Sequence, residues 1–166
     1  KREFTSDYIS GNSVFEFAGN IDKEKKRAIK NIIKDYLSCE VTEESEKKVI
    51  VKDFFNFEEM NINNFIRRMD NNVKEMFDVI IRCIEKNKIF KKEIEEIVKI
   101  DLDINKFYFL NSRVMMLGLD NPTLINKLKI EPQDLFKNWW LTFHLEHTGD
   151  DLKAIAHKIK KEKQSE

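Results

Sequence analysis

The sequence predicts a mainly helical α+β fold, in which a three-helix antiparallel bundle follows a small β-α-β-β subdomain. Three observations support this prediction. The 166 residues include only four glycines and two prolines, too few for a turn-rich β-sandwich. Hydrophobic residues make up 41% of the chain and charged residues 36%, which suits long helices with one buried and one solvated face. Beyond about residue 60, apolar residues recur at helical spacing, so we divide the chain into domains at 1–57 and 58–166.

The predicted first domain mixes helical and strand periods. Asp22 is a suitable N-cap residue for its main helix. The two strands after this helix are separated by a short polar stretch, which is typical of a hairpin. The predicted elements are a short helix over 4–9 that ends at Gly11, a strand over 13–18, a helix from Asp22 to about Leu37, and strands over 40–43 and 48–52.

Three long helices fill the predicted second domain. Because their connections are short, we expect them to lie side by side and mostly antiparallel. The helices run from Asn61 to about Lys86, from about Lys88 to Leu117 with Gly118 as the end signal, and from Pro132 to about Lys160, and a short connecting helix runs from Asn121 to about Leu128. The apolar seam of the first long helix is Ile62, Ile66, Met69, Val73, Met76, Ile80 and Cys83, and that of the second is Phe90, Ile94, Ile97, Ile104, Tyr108 and Met115.

Polar residues interrupt the apolar seams at two places. Asp101 and Asn105 lie four residues apart on the second long helix, and Glu146 and Asp150 lie four apart on the third. Residues at this spacing share one helix face. A buried carboxylate must be paired, protonated or bound to a cation, and two such pairs on neighbouring helices could hold a metal. The alternative is that Asp101 and Glu146 only edge the seam and face water.

Three further residues near this position need an explanation. Gly149 lies between the two carboxylates, although a glycine inside a helix costs about 1 kcal/mol relative to alanine. Close helix packing or room for a ligand would account for it. His144 and His147 could bind zinc together, but two histidines are too few for a catalytic zinc site and no Glu-x-x-His pattern is present.

Other signals exclude functions rather than suggest them. The chain has no phosphate-binding glycine loop and no nucleophile motif. The 30 basic residues balance the 30 acidic ones, which argues against nucleic-acid binding by these residues, and the basic C-terminal stretch that begins at Lys153 is interpreted as a solvated helix end. Cys39 and Cys83 have no disulfide-framework spacing and no apolar run reaches 18 residues, so we expect a reduced, cytoplasmic chain without membrane insertion.

Four segments together resemble the PhoU proteins, which regulate phosphate uptake. Residues 145–151, Leu-Glu-His-Thr-Gly-Asp-Asp, resemble the E-R-I-G-D-H motif of that family. Residues 101–110 are similar to the D-D-E-V-D-R-L-Y-F-L stretch of its archaeal branch, and residues 65–69 to its L-R-R-M. Residues 41–53 resemble the strands E-I-V-E-E-S and V-V-L-Q-D of the same branch. The matches keep their order and span nearly the whole chain.

The resemblance implies a fold, an activity and a set of partners. The fold is a single PhoU unit, where typical bacterial members have two in tandem, so a homodimer could supply the second copy. The partners are a phosphate transporter, a sensor kinase or an attached DNA-binding domain. Archaeal members often have an AbrB/SpoVT-like DNA-binding domain upstream, and the start at Lys1 rather than Met fits a fragment that lacks it. DNA is then expected to be contacted only through that upstream domain.

The resemblance also implies a metal centre. Family members bind iron or zinc clusters through paired E(D)-x-x-x-D motifs. By position in the motifs these ligands are Glu146 and Asp150 on the third long helix and Asp101 on the second. Asn105 departs from the closing aspartate of the motif, so its amide oxygen could coordinate a metal but would bring no charge.

Three functional hypotheses remain after the sequence analysis. The first is a non-catalytic regulatory module that acts through protein contacts, with a metal cluster on its helices, in the control of phosphate transport or phosphate-responsive transcription. The second is a metal-free helical domain for dimerisation or scaffolding. The third is a carboxylate-bridged metalloenzyme, which the absence of Glu-x-x-His makes the weakest of the three.

Overall fold

The computed structural model describes residues 1–57, 60–86 and 91–162. The described residues are mainly helical and include one small antiparallel sheet, which confirms the predicted α+β class. No helix among them is long and apolar enough to cross a membrane. The elements in chain order are α1 (Arg2–Ile9), β1 (Val14–Ala18), α2 (Lys23–Ile33), β2 (Cys39–Glu44), β3 (Lys48–Asp53), α3 (Ile62–Glu85), α4 (Lys91–Asp120), α5 (Pro122–Leu128) and α6 (Pro132–Glu162).

The three strands form an antiparallel sheet in the order β1-β3-β2, with the predicted hairpin between β2 and β3. The central strand β3 buries Val49 and Val51 almost completely. These valines join a core of aromatic rings, in which Phe4 lies 4.4 Å from Phe15 and 4.8 Å from Tyr36 between ring centroids. Residues 1–53 therefore have a small hydrophobic core of their own. The predicted domain boundary at 57/58 falls in the connection from β3 to α3, where residues 58 and 59 lie outside the described ranges.

The helix α2 begins as predicted and ends early. Asp22 caps it, because its Oδ1 accepts a hydrogen bond from the Lys25 N–H at 2.8 Å. The helix ends at Ile33, four residues before the predicted Leu37. The chain turns here so that Tyr36, only 3% exposed, can join the aromatic core, and Ser38 then takes a left-handed conformation with φ 62°. Tertiary packing therefore outweighs the helical spacing of the sequence.

The helices α3, α4 and α6 pack against one another around one hydrophobic core. The predicted seam of α3 is correct, since all its members are buried except Ile66, which is half-buried. On α4 the buried face is different: Tyr108 and Met115 are only half-buried, whereas Phe107, Leu110 and Val114 are buried. This part of α4 also contacts α1 and α5, and Leu110 and Val114 belong to a second hydrophobic cluster with Leu135, so its buried face differs from a single seam. Phe90 and the predicted start at Lys88 lie outside the described residues.

The prediction that Gly118 ends the second long helix is wrong, because α4 continues to Asp120. Gly118 is buried, and a Cβ added there would lie 2.8 Å from Cδ1 of Leu135. This glycine therefore permits close packing between the end of α4 and the start of α6. Asn121 is the cap of α5, with its side chain accepting a hydrogen bond from the Leu124 N–H at 3.1 Å.

A buried arginine joins the small α/β unit to the long helices. Arg113 of α4 is 2% exposed, and its Nη1 donates to the carbonyl oxygens of Tyr8 at 2.5 Å and Asn12 at 2.7 Å. Its Nη2 donates to the carbonyl oxygen of Gly11 at 3.0 Å and lies 3.4 Å from Oδ2 of Asp53. Burial raises the pKa of Asp53, and the nearby guanidinium opposes that rise. One side chain therefore ties the α1–β1 turn and the end of β3 to α4.

Gly11 allows this close approach. It has φ 98°, a conformation that favours glycine, and a Cβ added there would lie 2.5 Å from Cδ2 of Leu117 on α4. The turn can present its carbonyl oxygens to Arg113 only because this position has no side chain.

We predict that Arg113→Met lowers the free energy of unfolding by about 3–5 kcal/mol, because it leaves Asp53 and three carbonyl oxygens buried without their donor. Urea denaturation measures this change. The control is Lys74→Met, which breaks an exposed pair with Asp70 on α3 and should cost at most about 0.5 kcal/mol.

If Arg113→Met does not fold, Asp53→Asn provides a milder test, since it removes only the charge of the partner. A loss in both Arg113→Met and Asp53→Asn no larger than that of the control would contradict a stabilising role for the joint.

Candidate functional site

The predicted site residues lie where α6 packs closely against α3 and α4. Gly149 is buried at this crossing, and a Cβ added there would lie 3.2 Å from Cδ1 of Ile104 on α4 and 3.8 Å from Sδ of Met76 on α3. Of the two explanations for this glycine, the geometry favours close helix packing. Asp101 lies one turn before Ile104 on α4 and is only 7% exposed.

Lys153 of α6 joins the carboxylates of the two helices. Its Nζ lies 2.7 Å from Oδ2 of Asp101 and 2.6 Å from Oδ1 of Asp150. The amide Nδ2 of Asn105 donates to the same Asp101 oxygen at 3.3 Å. Two of the four predicted site residues, Asp101 and Asp150, therefore meet at one ammonium group, and Asn105 is hydrogen-bonded to the first of them.

The prediction that Lys153 belongs to a solvated basic tail is wrong. The side chain of Lys153 is 28% exposed and forms ion pairs with Asp101 and Asp150. The signal was present in the sequence, because Lys153 follows Asp150 by three residues and Glu146 by seven, so all three share one face of α6.

Glu146, the fourth predicted residue, lies beside this group but is paired differently. Its carboxylate is 14% exposed and lies 2.8 Å from Nδ1 of His147. Its negative charge still interacts with those of Asp150 and Asp101, so all three carboxylates belong to one electrostatic site.

Burial dominates the electrostatics of the site. It raises the pKa of Asp101, while the hydrogen bond from Lys153 acts in the opposite direction. Burial and the negative charge of Asp150 raise the pKa of Glu146. Burial alone would lower the pKa of Lys153, but its hydrogen bonds to Asp101 and Asp150 outweigh burial and raise it. The ammonium therefore stays charged at neutral pH and compensates the negative charge of the site.

The donor atoms in this arrangement do not fit an iron or zinc ion. A metal needs free lone pairs, whereas Oδ2 of Asp101 and Oδ1 of Asp150 accept hydrogen bonds from Lys153. Asn105 turns its N–H₂ group, not its carbonyl oxygen, towards Asp101. Within 1–57, 60–86 and 91–162, no group of three or more His, Cys, Asp or Glu side chains is arranged to hold a metal. The iron or zinc site stays a prediction, and it requires that Lys153 be displaced.

Two of the three histidines of α6, His144 and His147, lie against aromatic rings. His144 meets Trp140 edge-on with ring centroids 4.5 Å apart, and His147 lies 4.0 Å from Phe143. Phe136 is 56% exposed and Trp140 is 49% exposed. We call this row the α6 aromatic surface; it comprises Phe136, Trp139, Trp140, Phe143 and His144. Within this surface Trp139 is half-buried and Trp140 is exposed.

The cysteines are poor nucleophiles in this environment. Cys83 is buried on the α3 seam, and burial raises the pKa of its thiol. Burial and the negative charge of Asp53 raise the pKa of Cys39 to about 12. Both thiols are therefore protonated at neutral pH, and the thiolate is the reactive form.

Comparison of the chain with protein-family models, with curated proteins and with solved structures finds no match. The resemblance to PhoU proteins therefore depends on the four sequence segments alone, and the family assignment stays a prediction.

We predict that Lys153→Met increases the affinity of the chain for Zn²⁺ or Fe²⁺ by about tenfold or more, equivalent to ~1.4 kcal/mol. The substitution removes the ammonium that occupies the oxygens of Asp101 and Asp150, while it keeps a side chain of similar length. Isothermal titration calorimetry measures the affinity, and elemental analysis measures metal in the purified proteins.

The matched control is Lys158→Met, which removes an exposed lysine from the same helix. A second comparison adds Glu146→Ala and Asp150→Ala to Lys153→Met and should abolish the gain. Equal metal affinities of the wild type and Lys153→Met would show that Lys153 does not compete with a metal.

Proposed function

We propose that the chain is a non-catalytic regulatory module of the PhoU type. In this proposal it acts in the cytoplasm through protein–protein contacts, in the control of phosphate transport or of phosphate-responsive transcription. The helices α3, α4 and α6 would form a single PhoU-like bundle, with a phosphate transporter, a sensor kinase or an attached DNA-binding domain as the partner.

One observation supports this proposal above the others. The segments 101–110 and 145–151 carry the resemblance, and they lie on the neighbouring helices α4 and α6. Their motif residues Asp101 and Asp150 meet at Lys153, although Asp101 and Lys153 are 52 residues apart in the chain. A chance likeness in two separate segments would give no reason for these particular side chains to converge.

The geometry also favours contact over catalysis. The carboxylates of the site are engaged by Lys153 and His147, and both cysteine thiols are protonated at neutral pH. The exposed large side chains Phe136 and Trp140 lie on one helix, in a row long enough to serve as a contact surface. Contiguous exposed apolar surface of this kind marks protein interaction sites.

We assign the α6 aromatic surface to a second copy of this chain. A row of rings along one helix is self-complementary about a two-fold axis, as a symmetric dimer interface requires. The formal net charge of the chain is zero, so two copies do not repel each other through net charge. A homodimer would also supply the second PhoU unit that the resemblance implies.

A metal-free scaffold is the second candidate function, and Lys153 is the observation that favours it. The ammonium of Lys153, which belongs to the chain itself, compensates the negative charges of Asp101 and Asp150. The packing of α4 against α6 therefore needs no bound ion. The chain would then serve only to dimerise or to hold attached domains together. Phosphate-dependent behaviour in the cell distinguishes this candidate from the first.

We predict that deletion of the gene for this chain in its own organism alters phosphate uptake and the transcript levels of phosphate-transport genes. The difference from the parent strain should be at least about twofold in phosphate-rich medium, and the wild-type chain expressed in trans should restore the parental values. Radiolabelled phosphate uptake and quantitative transcript measurement provide the readouts. A deletion strain that matches its parent in both phosphate-rich and phosphate-poor medium would refute the regulatory proposal and leave the scaffold.

We also predict that the wild-type chain is a dimer and that Trp140→Ala shifts it towards the monomer, with a dimer dissociation constant raised at least about tenfold. Truncation of a central aromatic residue commonly costs about 2 kcal/mol or more of binding free energy. Analytical ultracentrifugation over a range of concentrations measures this constant.

The control for Trp140→Ala is Phe54→Ala, since Phe54 is another exposed aromatic residue, 58% exposed, located after β3. It should leave the dimer unchanged. A wild-type chain that stays monomeric, or equal effects of the two substitutions, would remove the α6 aromatic surface as the dimer interface.

A further inference from the structure

The helix α2 concentrates positive charge that the composition of the whole chain conceals. Residues 23–34 contain six basic side chains and one acidic side chain, while the chain as a whole has a formal net charge of zero. Five of the basic residues line one groove, together with Asn31 and Glu44. We call these five the α2 basic stripe: Lys23, Lys26, Arg27, Lys30 and Lys34.

We propose that the α2 basic stripe binds the phosphate backbone of a nucleic acid without sequence preference. This inference goes beyond the proposed regulatory function and does not rest on it. It depends on four features of the stripe: its alignment, its free charges, its length and the absence of apolar side chains along it.

The five cationic side chains are aligned. They succeed one another at intervals of three, one, three and four residues, which places them within roughly 100° of the helix circumference at 3.6 residues per turn. The neighbouring face of α2 holds Ile29 and Ile33, which are buried in the core of the small unit. The core contacts of α2 therefore fix the orientation of the stripe, and the groove along it is open, with a volume of about 460 Å³.

Most of the charge on the stripe is available to a ligand. Its one acidic neighbour is Glu44 of β2, which lies 2.6 Å from Nζ of Lys30 and 3.8 Å from Nζ of Lys26. The hydrogen bond from Lys30 lowers the pKa of Glu44, so this carboxylate stays charged and offsets one lysine. In the part of the chain that the structure describes, Lys23 and Arg27 have no ion-pair partner, and Lys34 donates only to the neutral Oδ1 of Asn31 at 3.2 Å. The groove therefore has a clear excess of positive charge.

The length of the stripe suits a polymer better than a single anion. From Lys23 to Lys34 the helix rises about 16 Å at 1.5 Å per residue. A duplex carries one negative charge per about 1.7 Å of its axis, so several phosphates lie within reach of a cationic groove of this length. Several cations in a row can therefore contact several phosphates of a polyanion at once. A single orthophosphate would occupy only one end of the groove.

The composition of the stripe decides between macromolecules. No large apolar side chain is exposed on α2, whereas a helix that binds a lipid surface presents an exposed apolar face beside its lysines. The stripe also has no aromatic ring on which a base could stack and only one amide side chain, Asn31. These properties favour contact with the backbone over contact with the bases, and therefore binding without sequence preference.

The test is fluorescence anisotropy of the full chain with a labelled 20-base-pair duplex at several salt concentrations. We expect binding in the micromolar range at 50 mM salt, with log K falling linearly as log salt rises. The triple variant Lys23→Gln, Arg27→Gln, Lys34→Gln removes the three cations that do not pair with Glu44. It should lower the affinity at least about tenfold and reduce the salt slope by about 2–3, since each phosphate contact contributes ~0.9.

The matched control is the triple variant Lys74→Gln, Lys99→Gln, Lys158→Gln. These lysines are exposed on three other helices, and their removal changes the net charge by the same amount. Circular dichroism verifies that both variants fold. Equal losses of affinity in the two variants would overturn the proposal, because the attraction would then come from net charge and not from the stripe.

Two competition measurements identify the anion. A second duplex of unrelated sequence should bind with the same affinity, and inorganic tripolyphosphate should displace the labelled duplex at far lower concentration than orthophosphate. Vesicles containing phosphatidylserine provide the last comparison. Binding of these vesicles through the stripe without binding of the duplex would overturn the proposal in favour of a membrane surface, and no binding of the duplex at 50 mM salt would overturn it outright.

Discussion

The burial of the Arg113 guanidinium is the constraint on which the rest of the structure depends. A charge that is 2% exposed can exist only where acceptors lie close to it, and its acceptors come from two distant segments of the chain. The last turn of α1 and the loop that follows it supply three carbonyl oxygens and the end of β3 supplies Asp53, while the arginine itself belongs to α4. A small unit of fewer than 60 residues has a marginal core when it stands alone. Arg113 makes the stability of that unit depend on its attachment to the long helices.

Lys153 solves the same electrostatic problem at the other end of α4. Asp101 is buried on a helix whose neighbouring core positions, Ile97 and Ile104, are apolar. Its charge needs a partner, and α6 supplies one that is shared with Asp150. The two buried charges on α4, Asp101 and Arg113, lie twelve residues apart and each fixes a different neighbour, α6 in one case and the small unit in the other. The two buried charges therefore specify how α4 is placed against α6 and against the small unit. Hydrophobic packing alone would specify these placements less well.

Features that depend on local residue spacing could be predicted from the sequence, whereas features that depend on residues distant in the chain could not. The α3 seam and the Asp22 and Asn61 caps are predictable because period and capping act within one or two turns. The early end of α2 and the role of Gly118 depend on tertiary contacts of Tyr36 and Leu135. Arg113 was not recognised because three of its acceptors are backbone carbonyls, which have no sequence signature. Asp101, Asn105 and Asp150 were found as polar breaks in apolar seams, but their cation was sought outside the chain and not at Lys153. Likewise, the net charge of zero is a sum over the whole chain, so it does not show that basic residues are concentrated on α2.

The Arg113 joint also constrains how the two proposed surfaces could work together. The α2 basic stripe belongs to the small unit and the α6 aromatic surface to the long helices, so any communication between them crosses this joint. Allosteric coupling requires two arrangements of the joint with different affinities for a ligand. Breaking the Arg113 contacts would leave two buried charges, the guanidinium and Asp53, without partners. A second arrangement of the joint would therefore be much higher in free energy. A ligand bound to the α2 basic stripe would therefore not alter the structure of the α6 aromatic surface. It would only determine where the molecule is located. Taken together, the two proposals describe regulation by recruitment, in which a polyanion on the stripe would fix the location of the proposed dimer surface.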